Sequence, residues 1–203
     1  MVAFVAAMAA GGCGTDREVT QPEPDPVTEE NVAAALLTVA DLPDGFTAAA
    51  PASAVNAEVV PEHLCDDGLA DLVPEESATT DFAGSGVTLT HSVAWFPGAG
   101  PAVEQLLNTV ASACSQVVIA DQGISLRTAP LDFGVLSDDT LAVRFELEPT
   151  SGPITERDVI LRREGDLVSV VRLSGPRPSD KTLLDTVVRT TMGRLGALGL
   201  ATE

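Results

Sequence analysis

Between residues 141 and 173 the sequence changes character every second residue. Leu141, Val143, Phe145 and Leu147 alternate with Ala142, Arg144, Glu146 and Glu148, and then Arg157 to Arg163 and Leu167 to Leu173 flank Glu164-Gly165-Asp166. Successive side chains of a strand point to opposite faces, so this period of two describes half-buried strands. A glycine between two such runs supplies the left-handed residue of a hairpin turn. Val87 to Trp95 repeats the pattern with Thr88, Thr90, Ser92 and Ala94 in the polar places. Helical spacing surrounds these strands. Thr28 suits an N-cap before Glu29 and Glu30, whose charges favour the positive end of a helix running through Val32, Leu36, Leu37 and Val39 and stopping before Pro43. Pro61 opens a helix carrying Leu64, Cys65, Leu69 and Leu72, and Pro101 opens another with Val103, Leu106, Leu107, Val110, Cys114 and Val117 on one stripe. Ser179-Asp180 begins a last helix whose Leu183, Leu184, Val187, Val188, Met192 and Leu195 face the core. Grouped antiparallel strands with helices at both ends and in the middle predict an α+β fold: a twisted antiparallel sheet with helices packed on one face.

The 203 residues suffice for one domain with its own core, and with six Phe, one Trp and no Tyr that core is aliphatic. Eleven basic against 30 acidic residues leave a formal charge of −19, which excludes the basic footprint of a nucleic-acid binder. Residues 13–76 hold 15 acids against Arg17 alone, a net of −14; residues 77–203 hold 15 acids and 10 bases, a net of −5.

Residues 1–12 are apolar and uncharged and run through Ala10-Gly11-Gly12 into Cys13, which resembles the end of a bacterial lipoprotein signal peptide. In that chemistry small residues let the peptidase reach the scissile backbone, and the cysteine thiol takes a diacylglycerol as a thioether. Ala10 stands where such boxes favour Leu. The missing Lys or Arg ahead of the apolar stretch suggests a basic first segment upstream of Met1. The resemblance implies export and anchoring to the outer face of the cell membrane by acylated Cys13. Residues 13–27 are acidic with Pro22, Pro24 and Pro26, a tether reaching on the order of 40 Å. Its carboxylates repel anionic lipid and hold the domain at 28–203 off the membrane. With Cys13 assigned to lipid, Cys65 and Cys114 are left, and in an exported protein they are expected to form a disulfide worth about 4 kcal/mol in the chain-entropy model; the alternative is two buried reduced thiols.

Four phrases together resemble small exported actinobacterial lipoproteins related to the extracellular sensor domains of receptor-like serine/threonine kinases. They are Leu-Leu…Ala-Asp-Leu-Pro-x-Gly-Phe at 36–46, the cysteines at 65 and 114, Asp-Asp-Thr-Leu-Ala-Val-Arg at 138–144, and Val-Ile-Leu-Arg-Arg-Glu-Gly-Asp-Leu-Val at 159–168. The resemblance implies a ligand-sensing module without catalytic residues.

The search for chemistry leaves little else. His63, Cys65, Asp66, Asp67 and Asp71 lack the ligand spacing of a zinc or calcium site, so no metal and no cofactor is expected. Ala83-Gly84-Ser85-Gly86-Val87 is not a nucleophile elbow, and His91 shares the apolar face of its strand, as a buried and satisfied histidine does. Asp138 and Asp139 are adjacent on a strand and so point apart. Arg144, Arg162 and Arg172 stand on neighbouring strands. On one uncovered face they would hold an anionic ligand, or else they pair across strands with Glu146, Glu148 and Asp158. The expected function is a non-catalytic ligand-binding or sensor-like module at the cell envelope, binding a small molecule or envelope component. A scaffold docking an envelope protein and a hydrolase are the alternatives.

Overall fold

The computed structural model describes residues 27–50, 73–84, 86–103, 105, 116–119, 123–131, 140–175 and 181–198. Cys13, the signal-like segment and most of the tether lie outside them, as do the expected helix after Pro61, Cys65, Cys114, Asp138 and Asp139.

Eight strands form one antiparallel sheet: β1 (Thr47–Ala48), β2 (Glu76–Gly84), β3 (Val87–Trp95), β4 (Gln116–Ile119), β5 (Ile124–Pro130), β6 (Thr140–Pro149), β7 (Thr155–Glu164) and β8 (Leu167–Gly175). Their spatial order is β1-β2-β3-β8-β7-β6-β5-β4. After β3 the chain crosses to the far edge and returns strand by strand, so that β8 closes against β3. The alternating stretches read from the sequence are β3, β6, β7 and β8. Gly165, with φ 59°, turns the β7–β8 hairpin as its position between two strands requires.

Two helices lie on one face. The helix α1 (Glu29–Ala34) is capped reciprocally by Thr28 and Asn31, and α2 spans Lys181–Ala197. Leu183, Leu184, Val187 and Val188 of α2 join Leu37 and Phe46 over Phe82, Leu89, Ala142, Ile160, Val171 and Leu173 of the sheet. Beside them Val32 and Ala35 pack with Val93, Leu167 and Leu195, and Trp95 closes the edge of that cluster. Met192 lies against the core only in part, and Thr191 takes a buried place on the same helix.

Three expectations are corrected. The first helix ends at Ala34 and does not run on to Val39; a separate 3₁₀ turn covers Val39–Asp41. The chain leaves the helix because Leu37 N–H bonds to a sheet side chain and Thr38 caps a new turn with Asp41. The stripe from Pro101 does not continue as helix to Val117. Helix is present at 100–103, and Gln116–Ile119 is strand, as its consecutive β-branched residues favour. Finally, helical packing is not confined to one face. Val103 packs with Leu161 and Val168 on the opposite side, next to a cluster of Leu126, Val143, Phe145 and Val159. Unbroken apolar runs such as Val159-Ile160-Leu161 are what a strand covered on both faces requires.

Candidate functional site

Strand register decides where the three arginines point. Arg144 stands opposite Asp158, and Arg162 stands opposite Thr140 on one side and Ser169 on the other. On β7 both Asp158 and Arg162 lie two residues from Ile160, which is under α2, so Arg144 and Arg162 belong to the helical face. Arg172 sits between Val171 and Leu173, also under α2, and therefore faces the other way, between Thr90 and Val159. Arg144 and Arg162 are four residues apart in register, about 13 Å. The three arginines do not share one anion-binding face.

Arg144 is the cross-strand pairing case. Its Nε donates to Asp158 Oδ1 at 2.6 Å and Nη2 to Oδ2 at 2.8 Å, while Nη1 is 3.5 Å from Glu156 Oε2. Asp158 is buried, and this bidentate fork supplies its counter-charge. The hydrogen bonds that Arg144 donates to Asp158, with the charges of Asp158, Glu156 and Glu146, raise the Arg144 pKa above its ordinary value against the opposing effect of burial. Glu146 and Glu156 are direct register partners, so Arg144 also offsets the repulsion of two facing carboxylates. Arg162 donates to Thr140 at 3.4 Å and lies 3.9 Å from Glu164.

The opposite face around Arg172 is rich in hydroxyls. Thr79 and Ser92 share a hydrogen bond of 3.0 Å, Thr90 donates to Asp81 at 2.6 Å, and Arg157 Nε donates to Ser174 Oγ at 3.1 Å. The described strands place Arg127, Arg144 and Arg162 with Glu146, Glu148, Glu156 and Asp158 on the helical face, and Arg157, Arg163 and Arg172 with Asp81 on the other.

His91 is fully buried on the helical face. Leu37 N–H donates to its Nδ1 at 3.0 Å, which leaves the ring proton on Nε2, 2.9 Å from Ser169 Oγ. Burial pushes the His91 pKa down to about 4; Arg194 adds to the effect and Asp41 opposes it. A general base must receive the hydroxyl proton, whereas this tautomer already donates to Ser169, so the pair cannot activate that hydroxyl as a nucleophile. Next to Ser169 a cavity of about 10 Å³ opens between α2 and the sheet, bordered by Thr140, Arg162, Thr191 and Met192. It has room for about one water and none for a metabolite. Among the described residues no three His, Cys, Asp or Glu side chains gather as a metal site, and no helix is long and apolar enough to cross a membrane.

The 36–46 phrase is a docking device. Leu37 and Phe46 enter the core, and Leu37 N–H meets His91. Asp41 accepts from Thr38 N, Thr38 Oγ1 and Arg194 Nη2 at 2.6, 2.7 and 2.6 Å. Burial pushes the Asp41 pKa up, but the bonds from Thr38 and the charge and bond of Arg194 outweigh it and hold the carboxyl below its ordinary value. Arg194 also donates to Ala34 O at 3.3 Å, joining the end of α1 to α2.

This fold is similar to that of a mycobacterial extracellular domain. The match is to the extracellular domain of PknH from Mycobacterium tuberculosis, with a TM-score of 0.62 at 13% identity, over 87% of this chain and 99% of that one. At that identity the likeness is one of fold. At the level of fold it agrees with the resemblance carried by the four sequence phrases together. No protein-family profile and no curated protein matches the sequence.

Proposed function

We propose that this chain is an exported, lipid-anchored, non-catalytic sensor-like module of the cell envelope. The observation that carries the reading is the likeness of 87% of the chain to an extracellular domain. The Ala10-Gly11-Gly12-Cys13 sequence and the acidic tether behind it supply the anchor and the stand-off. Acylated Cys13 holds the chain at the membrane, and a Cys65–Cys114 disulfide staples the domain, as two thiols in an oxidising compartment favour.

The ligand-facing surface is the polar part of the sheet face opposite α1 and α2, where Arg172 is set among Thr79, Thr88, Thr90, Ser92 and Ser174. A hydroxyl- and guanidinium-bearing surface suits a polar envelope component with anionic groups. Arg144 serves the fold by neutralising Asp158. A hydrolase reading loses support because the His91–Ser169 pair has its proton on the wrong atom for base catalysis.

Mass spectrometry of membrane-extracted protein tests the anchor: an acylated Cys13 as mature N-terminus is expected, and an unmodified cysteine there overturns it. A thiol count on denatured, unreduced protein tests the staple, with two free thiols as the contrary result. Thermal-shift assays with envelope extracts test the binding surface. A stabilising fraction should lose its effect on Arg172→Ala but keep it on Lys181→Ala. Stabilisation that survives Arg172→Ala removes the surface from the proposal.

A further inference from the structure

We propose that His91 is an acid-operated latch that releases the N-terminal segment 27–48, the part of the domain next to the tether, from the sheet. The inference stands on the geometry of His91 and holds whether or not the chain is anchored by lipid.

The segment docks by burying Val32, Ala35, Leu37 and Phe46, and its backbone is tied to the sheet where Leu37 N–H donates to His91 Nδ1. Neutral imidazole satisfies both neighbours, one as acceptor and one as donor. Imidazolium carries a proton on each nitrogen, so an N–H at Nδ1 would confront the N–H of Leu37 with no acceptor between them. The site is fully buried, and an uncompensated charge there has no water to turn to. Proton uptake therefore requires Leu37 to leave.

Charged groups on the elements packed around His91 do not rescue the cation. Asp41 of the 3₁₀ turn is engaged by Thr38 and by Arg194 of α2, and Arg194 itself repels a positive imidazole. Arg162 of β7 stands beyond Ser169 on the same face, with the same sign. The neighbours on β2 and β8, Thr80 and Val171, are uncharged. Because Asp41 is held ionised below its ordinary range, its bond to Arg194 survives the acidity at which His91 is stressed.

Amide hydrogen exchange on the full chain, followed residue by residue from pH 8 to pH 5, tests the latch. With an ordinary imidazole in the released state and one held at about 4 when docked, the protection of Leu37 and of the α1 amides should fall about 30-fold. Protection in β7 and β8 should stay above that of Leu37 at every pH, because global unfolding shares the pH dependence of the freed imidazole but costs more than release of the segment. His91→Gln should abolish the pH dependence. Imidazole ¹⁵N shifts of the unmodified chain provide the check should that variant fail to fold: His91 should stay neutral in whatever fraction keeps Leu37 protected. Three results overturn the latch: constant Leu37 protection, Leu37 protection equal to that of β8 at every pH, which marks global unfolding alone, or a protonated His91 beneath a protected Leu37.

Discussion

Arg144→Ala distinguishes a structural arginine from a ligand-binding one. The variant removes the two hydrogen bonds of 2.6 and 2.8 Å that reach Asp158, whose side chain is 1% exposed, and it removes the charge beside Glu156. Stripping one partner from a buried ion pair leaves an uncompensated charge and costs about 3–5 kcal/mol. For a domain of this size the melting temperature should drop by roughly 6–20 °C. Urea unfolding followed by the fluorescence of Trp95, the single tryptophan in a chain without tyrosine, reports the loss directly. In a double-mutant cycle with Asp158→Ala, much of the loss should be recovered, less the repulsion between Glu146 and Glu156. A loss below about 1 kcal/mol at pH 7, with an unchanged denaturant slope, would refute the structural reading. A fully stable variant that lost affinity for an anion would return Arg144 to the ligand site.

Other outcomes follow from the same geometry. Because the His91 pKa is lowered to about 4 in the fold, stability is complete above the unfolded value of 6.5 and is lost as the pH falls toward 4, by roughly 3 kcal/mol. Urea midpoints at pH 7.5 and 4.5 check this, and equal midpoints count against it. The lowered Asp41 pKa adds a further loss of stability in stronger acid, as the pH falls below the ordinary 3.8. Gly193→Ala should stabilise α2 by about 1 kcal/mol, since the glycine is exposed and nothing lies within 4 Å of the added methyl; a lower melting temperature contradicts the reading. Gly84→Ala should cost about 1–3 kcal/mol, because its methyl would sit 2.5 Å from Gly45 O and 2.7 Å from Phe46 Cα where β1 approaches β2. Exchange protection lost first in β1 is the expected sign, and unchanged stability is the contrary one.

Sequence alone determined what depends on near neighbours. The strands at 87–95, 141–148, 157–163 and 167–173, the glycine turn between the last two, the Thr28 cap and the apolar stripe of α2 all rest on backbone preferences and periods that operate within a few residues. His91 as a buried, satisfied side chain was legible for the same reason, since its apolar strand neighbours share its face. Tertiary structure decided what depends on register and on cover. Arg144 meets Asp158 across a hairpin, and Arg172 is turned away from it, because pairing fixes both the partner and the face. Slipping a strand by one residue would exchange the two sides. The first helix stops early because Leu37 finds His91, 54 residues away, and the identity of His91 as acceptor to one segment and donor to Ser169 exists only once three distant pieces meet. Local interactions select the elements; the non-local burial of polar groups, each of which must find a partner, selects how those elements are joined.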